Sequence, residues 1–294
     1  MSTVYIGTSE FAAGVLQRLF FSPHRPSLVV TRPDSPRGRG RRLASPPVAE
    51  MAAELGVECV QPESINAASA SALIASRDPD AVCLCAYGAL IKEPLLSAHR
   101  ILNVHPSLLP RWRGAAPIER ALLAGDERTG VSIMVLTAGL DSGPVCGREA
   151  TEIDPEDDYG TLAHRLQTIG GELLVRVLDE RPGCEEQPQE GVTYADKLTA
   201  ADRRLDPADP AAELARRVRA LTPHIGAYLE RDGERLGVLK ARETDVPGLA
   251  PGELALDPPR PVLGCGAGAL ELLVVLPPGK RAMPAEDWLR GLRR

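Results

Sequence analysis

The sequence predicts an α/β protein in which a domain with a mostly parallel sheet precedes a smaller, β-rich domain. Three observations lead to this fold class. The 294 residues are enough for two domains. In the first 180 residues, short apolar runs alternate with segments of helical spacing, which is typical of βαβ units. After residue 200, short β-like runs are separated by glycine and proline, which indicates a small barrel or sandwich.

The elements of the first domain follow from the spacing of its apolar residues. Strands are predicted at 4–7, 27–31, 80–86, 101–104 and 131–136, and helices at 10–20, 48–55, 68–76 and 159–179. In parallel sheets, ligands bind at the carboxyl ends of the strands. The loops that follow these strands are therefore the predicted ligand-binding edge.

A change of character marks the end of the first domain. Residues 181–189 are rich in proline, glycine and glutamate, which is typical of a linker. The predicted domains are therefore 1–181 and 201–294, joined by a linker at 182–200. In the second domain, a helix is predicted at 211–221 and strands at 227–230, 236–240, 252–256 and 270–276.

Composition restricts the compartment and the kind of site. Hydrophobic residues make up 44% and charged residues 25% of the chain, and no apolar run approaches the roughly 18 residues of a membrane span. The first residues lack the features of a signal peptide, so we expect a cytoplasmic protein that does not bind membranes. The six cysteines include no CxxC pair and no Cys/His cluster, which predicts neither a structural disulfide nor a metal site.

Charge is distributed unevenly along the chain. The net charge of −6 argues against a polyanion partner if it is taken as a whole. One loop nevertheless carries five arginines against a single acid, Asp34, and the field at contact distance depends on such local charge. These residues are Arg32, Arg37, Arg39, Arg41 and Arg42.

The strongest chemical signal lies at the end of the strand at 101–104. On a strand, Asn103 and His105 share a face, and an amide beside an imidazole can stabilise an oxyanion that develops during acyl transfer. Asp141 lies between glycines in the sequence Gly139-Leu-Asp-Ser-Gly143. Spacing alone leaves a structural histidine and an ordinary turn aspartate open.

The motifs around these residues resemble the folate-dependent formyltransferases. Residues 103–110, with Gly114 completing an SLLPxxxG pattern, match that family, in which an Asn, the His two residues later and an Asp in a GLDxG loop form the catalytic trio. Asn103, His105 and Asp141 match all three. Segments 7–11, 31–34, 38–40, 111–118, 192–198 and 279–283 resemble the family members that act on methionyl-tRNA.

The resemblance implies a Rossmann-like domain followed by a small OB-like β-barrel domain. We expect a monomer, although the sequence itself does not show the oligomeric state. It also implies transfer of a formyl group from 10-formyltetrahydrofolate, without a metal, to the amino group of methionine on initiator tRNA. Asn103 and a protonated His105 would donate hydrogen bonds to the oxyanion. Asp141 would stabilise the charged imidazole and could accept the amine proton through water.

Two further sets of residues are predicted to contact the substrates. The folate is expected against Tyr87, Gly88, Leu90, Ser107, Leu108, Leu109, Pro110, Gly139 and Ser142. The tRNA is expected against Arg32, Arg37, Arg39, Arg41, Arg42, Arg113, Lys280 and Arg281.

Two alternatives remain open at this point. One is a formyltransferase that has the same first domain and acts on a nucleotide-linked amino sugar, which would have no use for the arginine loop. The other is a tRNA- or folate-binding relative that has lost catalysis, against which the intact trio argues.

Overall fold

The computed structural model describes residues 1–37, 42–231, 233–256 and 260–292. The chain forms two compact units, and each unit contains separate stretches of sequence. The first unit comprises Met1–Gly114, Arg128–Glu152 and Ala163–Tyr194, and the second comprises Ala115–Glu127, Ile153–Leu162 and Ala195–Arg294. The predicted boundaries at 181 and 200 divide the chain in sequence order, and they stay a prediction.

A seven-stranded sheet organises the first unit. The strands up to the end of this unit are β1 Thr3–Gly7, β2 Pro26–Val30, β3 Ser35–Arg37, β4 Arg42–Ala44, β5 Cys59–Val60, β6 Ala81–Cys85, β7 Ile101–His105, β8 Arg113–Gly114, β9 Arg128–Val135, β10 Val145–Glu152 and β11 Tyr194–Ala195. The sheet order is β10-β9-β7-β6-β1-β2-β5. Strands β5, β2, β1, β6 and β7 run parallel to one another. β9 runs antiparallel to β7, and β10 runs antiparallel to β9. The prediction of a mostly parallel sheet is confirmed.

Helices connect these strands. They are α1 Glu10–Phe20, α2 Pro47–Leu55, α3 Ala68–Ala75, α4 Leu95–Ala98, α5 Pro117–Ala124 and α6 Tyr159–Glu180. Ser9 caps α1, because its hydroxyl accepts a hydrogen bond from the Ala12 amide. All residues of β1, β6 and β7 are buried, as expected for central strands of a parallel sheet. No helix within the described ranges combines the length and apolar character that a membrane crossing requires.

An antiparallel sheet and two helices form most of the second unit. The elements are α7 Ala211–Leu221, β12 Ala227–Arg231, β13 Glu234–Thr244, β14 Leu254–Ala255, β15 Val262–Gly264, β16 Ala269–Leu276, β17 Met283–Pro284 and α8 Ala285–Leu292. The strand order is β12-β13-β16-β15-β14, and β17 pairs with β16. Leu214 and Val218 of α7 pack in one core with Val238, Leu270 and Leu272. The predicted β-rich second domain is confirmed.

One predicted loop is partly regular. The arginine-rich segment was predicted to be a loop, and within it β3 and β4 pair as a short antiparallel hairpin in which Arg37 lies opposite Arg42. Residues 38–41, and with them Arg39 and Arg41, lie outside the described residues. The hairpin was not predicted because strands of three residues are too short to show an alternation of apolar and polar residues.

The expectation of no disulfide was wrong. Cys146, in β10, and Cys184, which follows α6, are joined by a disulfide, and their Cα atoms are 4.0 Å apart. A guanidinium nitrogen of Arg100 lies 3.3 Å from the Cys184 sulfur. The spacing rule failed because the two residues are 38 positions apart, and only the fold brings them together.

A thiol count tests this bond. We expect four reactive thiols after unfolding in denaturant without reductant, from Cys59, Cys83, Cys85 and Cys265, and six after reduction. In the native protein, burial raises the pKa of Cys83 and Cys85 to about 12, so both thiols should resist alkylation at pH 8. Reduction should lower the unfolding free energy by about 4 kcal/mol, because the bond closes a loop of 38 residues. Six thiols before reduction would contradict the bond.

Asp202, in the second unit, provides a pH-dependent test of stability. Burial acts to raise its pKa, but hydrogen bonds from the amide and hydroxyl of Thr199 and from Arg120 outweigh burial, so the pKa is lowered from 3.8. A carboxylate with a lowered pKa contributes stability above its unfolded value and loses it as the pH falls through the folded value. Asp202→Asn should therefore lower the free energy of unfolding by about 1–3 kcal/mol at pH 7. Urea titrations measure this free energy for both proteins, and the difference between them should become smaller below pH ~4. A difference that does not change with pH would contradict the lowered pKa of Asp202.

Candidate active site

Strand β7 places Asn103 and His105 at the carboxyl edge of the parallel strands. It pairs in parallel with β6 and antiparallel with β9, where Asn103 lies opposite Met134. The two residues are two positions apart on the strand and so point to the same face. Both are buried, with exposed fractions of 8% for Asn103 and 4% for His105. An amide and an imidazole are thereby held side by side on a rigid element.

The backbone fixes the role of each nitrogen in the His105 ring. Nε2 lies 2.8 Å from the carbonyl oxygen of Trp112. A carbonyl only accepts hydrogen bonds, so Nε2 carries a proton whether or not the ring is charged. Nδ1 lies 3.7 Å from Oδ2 of Asp141, which is too long for a hydrogen bond and is an ion pair only when the ring is protonated. Nδ1 is therefore the nitrogen whose protonation can change during a reaction.

Asp141 lies in the turn between β9 and β10, in an unusual backbone conformation. Its φ angle is +43°, in the left-handed region that residues other than glycine seldom adopt. Its Oδ2 accepts a hydrogen bond of 2.8 Å from the Gly114 amide. The same carboxylate oxygen thus contacts both the Gly114 amide and the His105 ring.

The loop after β7 is held by hydrogen bonds within the loop and to Ser132 of β9. The Ser107 hydroxyl donates to the Arg111 carbonyl at 2.6 Å. The Ser132 hydroxyl donates to the Ser107 carbonyl at 2.7 Å and accepts from the Leu109 amide at 3.1 Å. Leu109 is buried and packs with Met134 in a small apolar cluster. These contacts give the loop a fixed shape beside His105.

Sequence comparisons agree with this geometry. The family model described as formyl transferase matches residues 2–178, and the model described as formyl transferase, C-terminal domain, matches residues 197–293. The chain belongs to the formyl transferase family. The family predicted from the motifs around Asn103, His105 and Asp141 is thus confirmed.

Individual relatives narrow the family relationship. A methionyl-tRNA formyltransferase of Ruegeria pomeroyi is 41% identical over 295 residues, which are 99% of this chain and 97% of the relative. That of Halorhodospira halophila is 44% identical, over 99% of this chain and 96% of the relative. A solved N-formyltransferase of Helicobacter canadensis, in complex with folinic acid and dTDP-3-aminofucose, has the same fold at 13% identity. Its TM-score is 0.67, over 92% of this chain and 98% of that one.

The predicted folate residues of this formyltransferase fall into two groups. The side chains of Tyr87, Ser107 and Leu109 are buried, so they support the loops of the site and are not exposed on its surface. Burial raises the pKa of Tyr87, and the nearby charge of Arg32 acts in the opposite direction. The residues that are exposed or half-buried at the loop surfaces are Gly88, Leu90, Leu108, Pro110, Gly139 and Ser142.

Gly139 lies close to the side chain of Ser142. A Cβ at this position would overlap the Ser142 hydroxyl, so a larger residue would force that side chain into another rotamer. Leu140, between Gly139 and Asp141, is 56% exposed. The turn therefore exposes an apolar side chain beside the carboxylate.

The predicted tRNA residues are placed less uniformly. Arg32 and Arg42 are exposed, and Arg32 donates a hydrogen bond of 3.3 Å to the Gly88 carbonyl, which ties the base of the hairpin to a predicted folate loop. Arg37 lies in β3. In the second unit, Lys280 and Arg281 are exposed in the turn after β16.

Arg113 corrects one prediction. It was expected to contact tRNA, but its side chain is only 6% exposed, and its Nε and one terminal nitrogen donate to Oε1 of Gln187 at 3.0 and 2.7 Å. The guanidinium could reach a phosphate only by leaving this buried contact. Sequence reasoning placed Gln187 in a linker, and no local pattern marked it as part of the site.

Proposed function

We propose that this protein transfers a formyl group from 10-formyltetrahydrofolate to the amino group of methionine esterified to initiator tRNA. The observation that carries the proposal is the grouping of Asn103, His105 and Asp141 at one strand edge, with the carboxylate 3.7 Å from the imidazole. The near full-length relatives named methionyl-tRNA formyltransferase support the choice of acceptor. We propose further that the protein acts in the cytoplasm as a monomer of 31.4 kDa, which light scattering can test.

Each residue of the trio has a distinct task in this proposal. The folate derivative supplies a formyl carbon that an amine can attack. Asn103 is a side-chain amide donor on a rigid strand, suited to the formyl oxygen as that oxygen gains negative charge. His105 takes part through Nδ1, because Nε2 is occupied by the Trp112 carbonyl. Asp141 is suited to stabilise positive charge that develops on the ring during the reaction, because its carboxylate lies 3.7 Å from Nδ1.

The attacking amine needs little help to lose its proton. A free α-amino group has a reference pKa of about 7.7–8.0, so an appreciable fraction is unprotonated near neutral pH. The proton released after attack can pass to Nδ1 of His105 or, through water, to Asp141. The intermediate then collapses by breaking the bond between the formyl carbon and N10 of the folate, and N10 takes up this proton as tetrahydrofolate leaves. Catalysis in this proposal therefore depends mainly on positioning and on stabilisation of the oxyanion.

The tRNA is proposed to bind through basic side chains. The candidates are Arg32, Arg37, Arg39, Arg41 and Arg42 in the arginine-rich segment 32–42, and Lys280 and Arg281 in the second unit. Arginine and lysine contact phosphates without reading sequence, so these contacts should set affinity and orientation. The rate at low tRNA concentration should accordingly fall steeply with added salt.

The direct test is an acceptor assay. Purified protein is mixed with 10-formyltetrahydrofolate and methionylated initiator tRNA, and formyl-methionine is measured after mild ester hydrolysis. Free methionine and a nucleotide-linked amino sugar serve as parallel acceptors, and His105→Ala serves as the inactive control. We expect product from the tRNA alone. Product from the sugar alone would overturn the proposal, and binding without turnover on any acceptor would favour the non-catalytic alternative.

A further inference from the structure

The segment between the two family-model matches contacts the candidate site directly. The models end at residue 178 and resume at residue 197. Within this gap, Gln187 is 7% exposed, and its Nε2 donates to the backbone carbonyls of Asp141 and Gly143, each at 2.8 Å. Its Oε1 accepts both hydrogen bonds from Arg113. Gln187, which was predicted to lie in a linker, therefore binds the backbone of the turn that contains Asp141.

The chemistry of the contacts fixes the orientation of the Gln187 amide. The NH2 group faces two carbonyl oxygens, and the amide oxygen faces two guanidinium nitrogens. Reversing the amide would oppose oxygen to oxygen and donor to donor at all four contacts. Gln187 thus uses both donors and accepts two hydrogen bonds, and no other amide orientation satisfies its neighbours.

A second contact from the same segment supports His105. The Trp112 carbonyl that accepts from Nε2 of His105 belongs to a residue with φ +61°, and the Trp112 amide donates to the Thr193 hydroxyl at 2.9 Å. The Arg113 amide donates to the Thr193 carbonyl at 3.0 Å. Thr193 therefore holds the strained residue that orients the imidazole.

The segment is itself anchored just before Gln187. Glu185 and Val145 exchange two backbone hydrogen bonds of 2.8 and 2.9 Å. The neighbouring Cys184 is bonded to Cys146. The contacts on Asp141 and Trp112 thus come from a backbone fixed at one end to β10.

We infer that Gln187 and Thr193 are positioning residues that set the distance and orientation between the Asp141 carboxylate and the His105 imidazole. This inference rests on the proposed function, because it assigns a role in the same site. Asp141 and Trp112 both have positive φ angles without being glycine, so external contacts must hold them there. Gln187 acts on the aspartate side of the site, and Thr193 acts on the histidine side.

Gln187→Glu tests the aspartate side. The carboxylate can still accept from Arg113, so the buried guanidinium keeps a partner, but the two donors to the turn are lost and oxygen faces oxygen. We expect kcat to fall about 100-fold, which is the effect expected when a catalytic group such as the Asp141 carboxylate moves by about 1 Å. The KM for each substrate should stay within about threefold of the wild-type value. The matched control is Gln167→Glu. Gln167, in α6, donates to the carbonyl of Glu10, in α1, so this substitution also removes an amide donor, but away from the site. The control should keep wild-type kcat.

Thr193→Val tests the histidine side. Valine keeps the β-branched shape but cannot accept from the Trp112 amide, whereas Thr193→Ser keeps the acceptor. We expect the valine variant to lose at least tenfold in kcat and the serine variant to remain within about threefold. The inference is overturned if both variants lose activity equally, or if the loss in Gln187→Glu follows a lowered melting temperature that Gln167→Glu does not show.

An NMR readout makes the inference testable without any acceptor. In the wild type, the Gly114 amide proton is hydrogen-bonded to the Asp141 carboxylate and should resonate at low field. We expect an upfield shift of this signal in Gln187→Glu and no change in Gln167→Glu. An unmoved Gly114 signal would overturn the positioning role even if wild-type protein formylated tRNA. A moved signal in a protein with no formyl transfer would instead reject the proposed function alone.

Discussion

Replacement of Asn103 by alanine should lower kcat about 10²–10³-fold and leave the KM for both substrates within a few-fold. The reason is geometric. Asn103 lies on β7, which is hydrogen-bonded to β6 on one side and to β9 on the other. Its amide is on the same face of the strand as the His105 ring. A donor that acts on charge developing in the transition state lowers kcat when it is removed, because it contributes little to ground-state binding. Initial rates at saturating folate and methionyl-tRNA measure the effect.

Asn103→Asp provides the matched comparison for this measurement. Aspartate has nearly the same size as asparagine but cannot donate when ionised, and it places negative charge where the oxyanion would form. Its kcat should fall at least as far as that of Asn103→Ala, although it leaves less empty space in the site. A rise in KM with unchanged kcat in Asn103→Ala would instead mean that the amide binds the substrate uniformly and does not act on the transition state.

The regular elements could be predicted wherever their local signals were complete. Helices α1 and α7 begin and end at the predicted residues, Glu10–Phe20 and Ala211–Leu221. α1 has a capping serine before it and apolar residues on one face, and α7 begins after Pro210 and carries a strong apolar face. In contrast, the second unit includes Ala115–Glu127 and Ile153–Leu162, which sequence order alone assigns to the first domain. Such assignments depend on packing between distant segments, which has no local signature.

The site was predictable only in part, for a similar reason. The period of a strand places Asn103 and His105 together, and a family resemblance adds Asp141. Gln187 has no comparable signal, because its partners lie 46 and 74 positions away at Asp141 and Arg113. A proline- and glycine-rich composition predicts the absence of regular structure, and it carries no information on such contacts. Arg113 was predicted to contact tRNA, but Gln187 covers it through contacts 74 positions away in the sequence.

The second large effect is expected from Asp141→Asn. The substitution preserves the size of the side chain, and the amide oxygen can still accept from the Gly114 amide. The bonds from Gln187 end on backbone carbonyls and are therefore unaffected. The change removes the negative charge 3.7 Å from Nδ1 of His105. We expect kcat to fall about 10²–10⁴-fold, the range for loss of an acid–base partner, with the melting temperature little changed.

A geometric control separates charge from shape at this position. In Gly143→Ala, the added Cβ would overlap the Val135 carbonyl, so the turn must move while the Asp141 charge remains. This variant should lose stability and activity together, whereas Asp141→Asn should lose activity alone. If Asp141→Asn kept more than a tenth of wild-type kcat, the carboxylate would serve mainly as an acceptor for the Gly114 amide. His105 would then have to work without its counter-charge, and the proton from the amine would have to leave through Nδ1 to solvent.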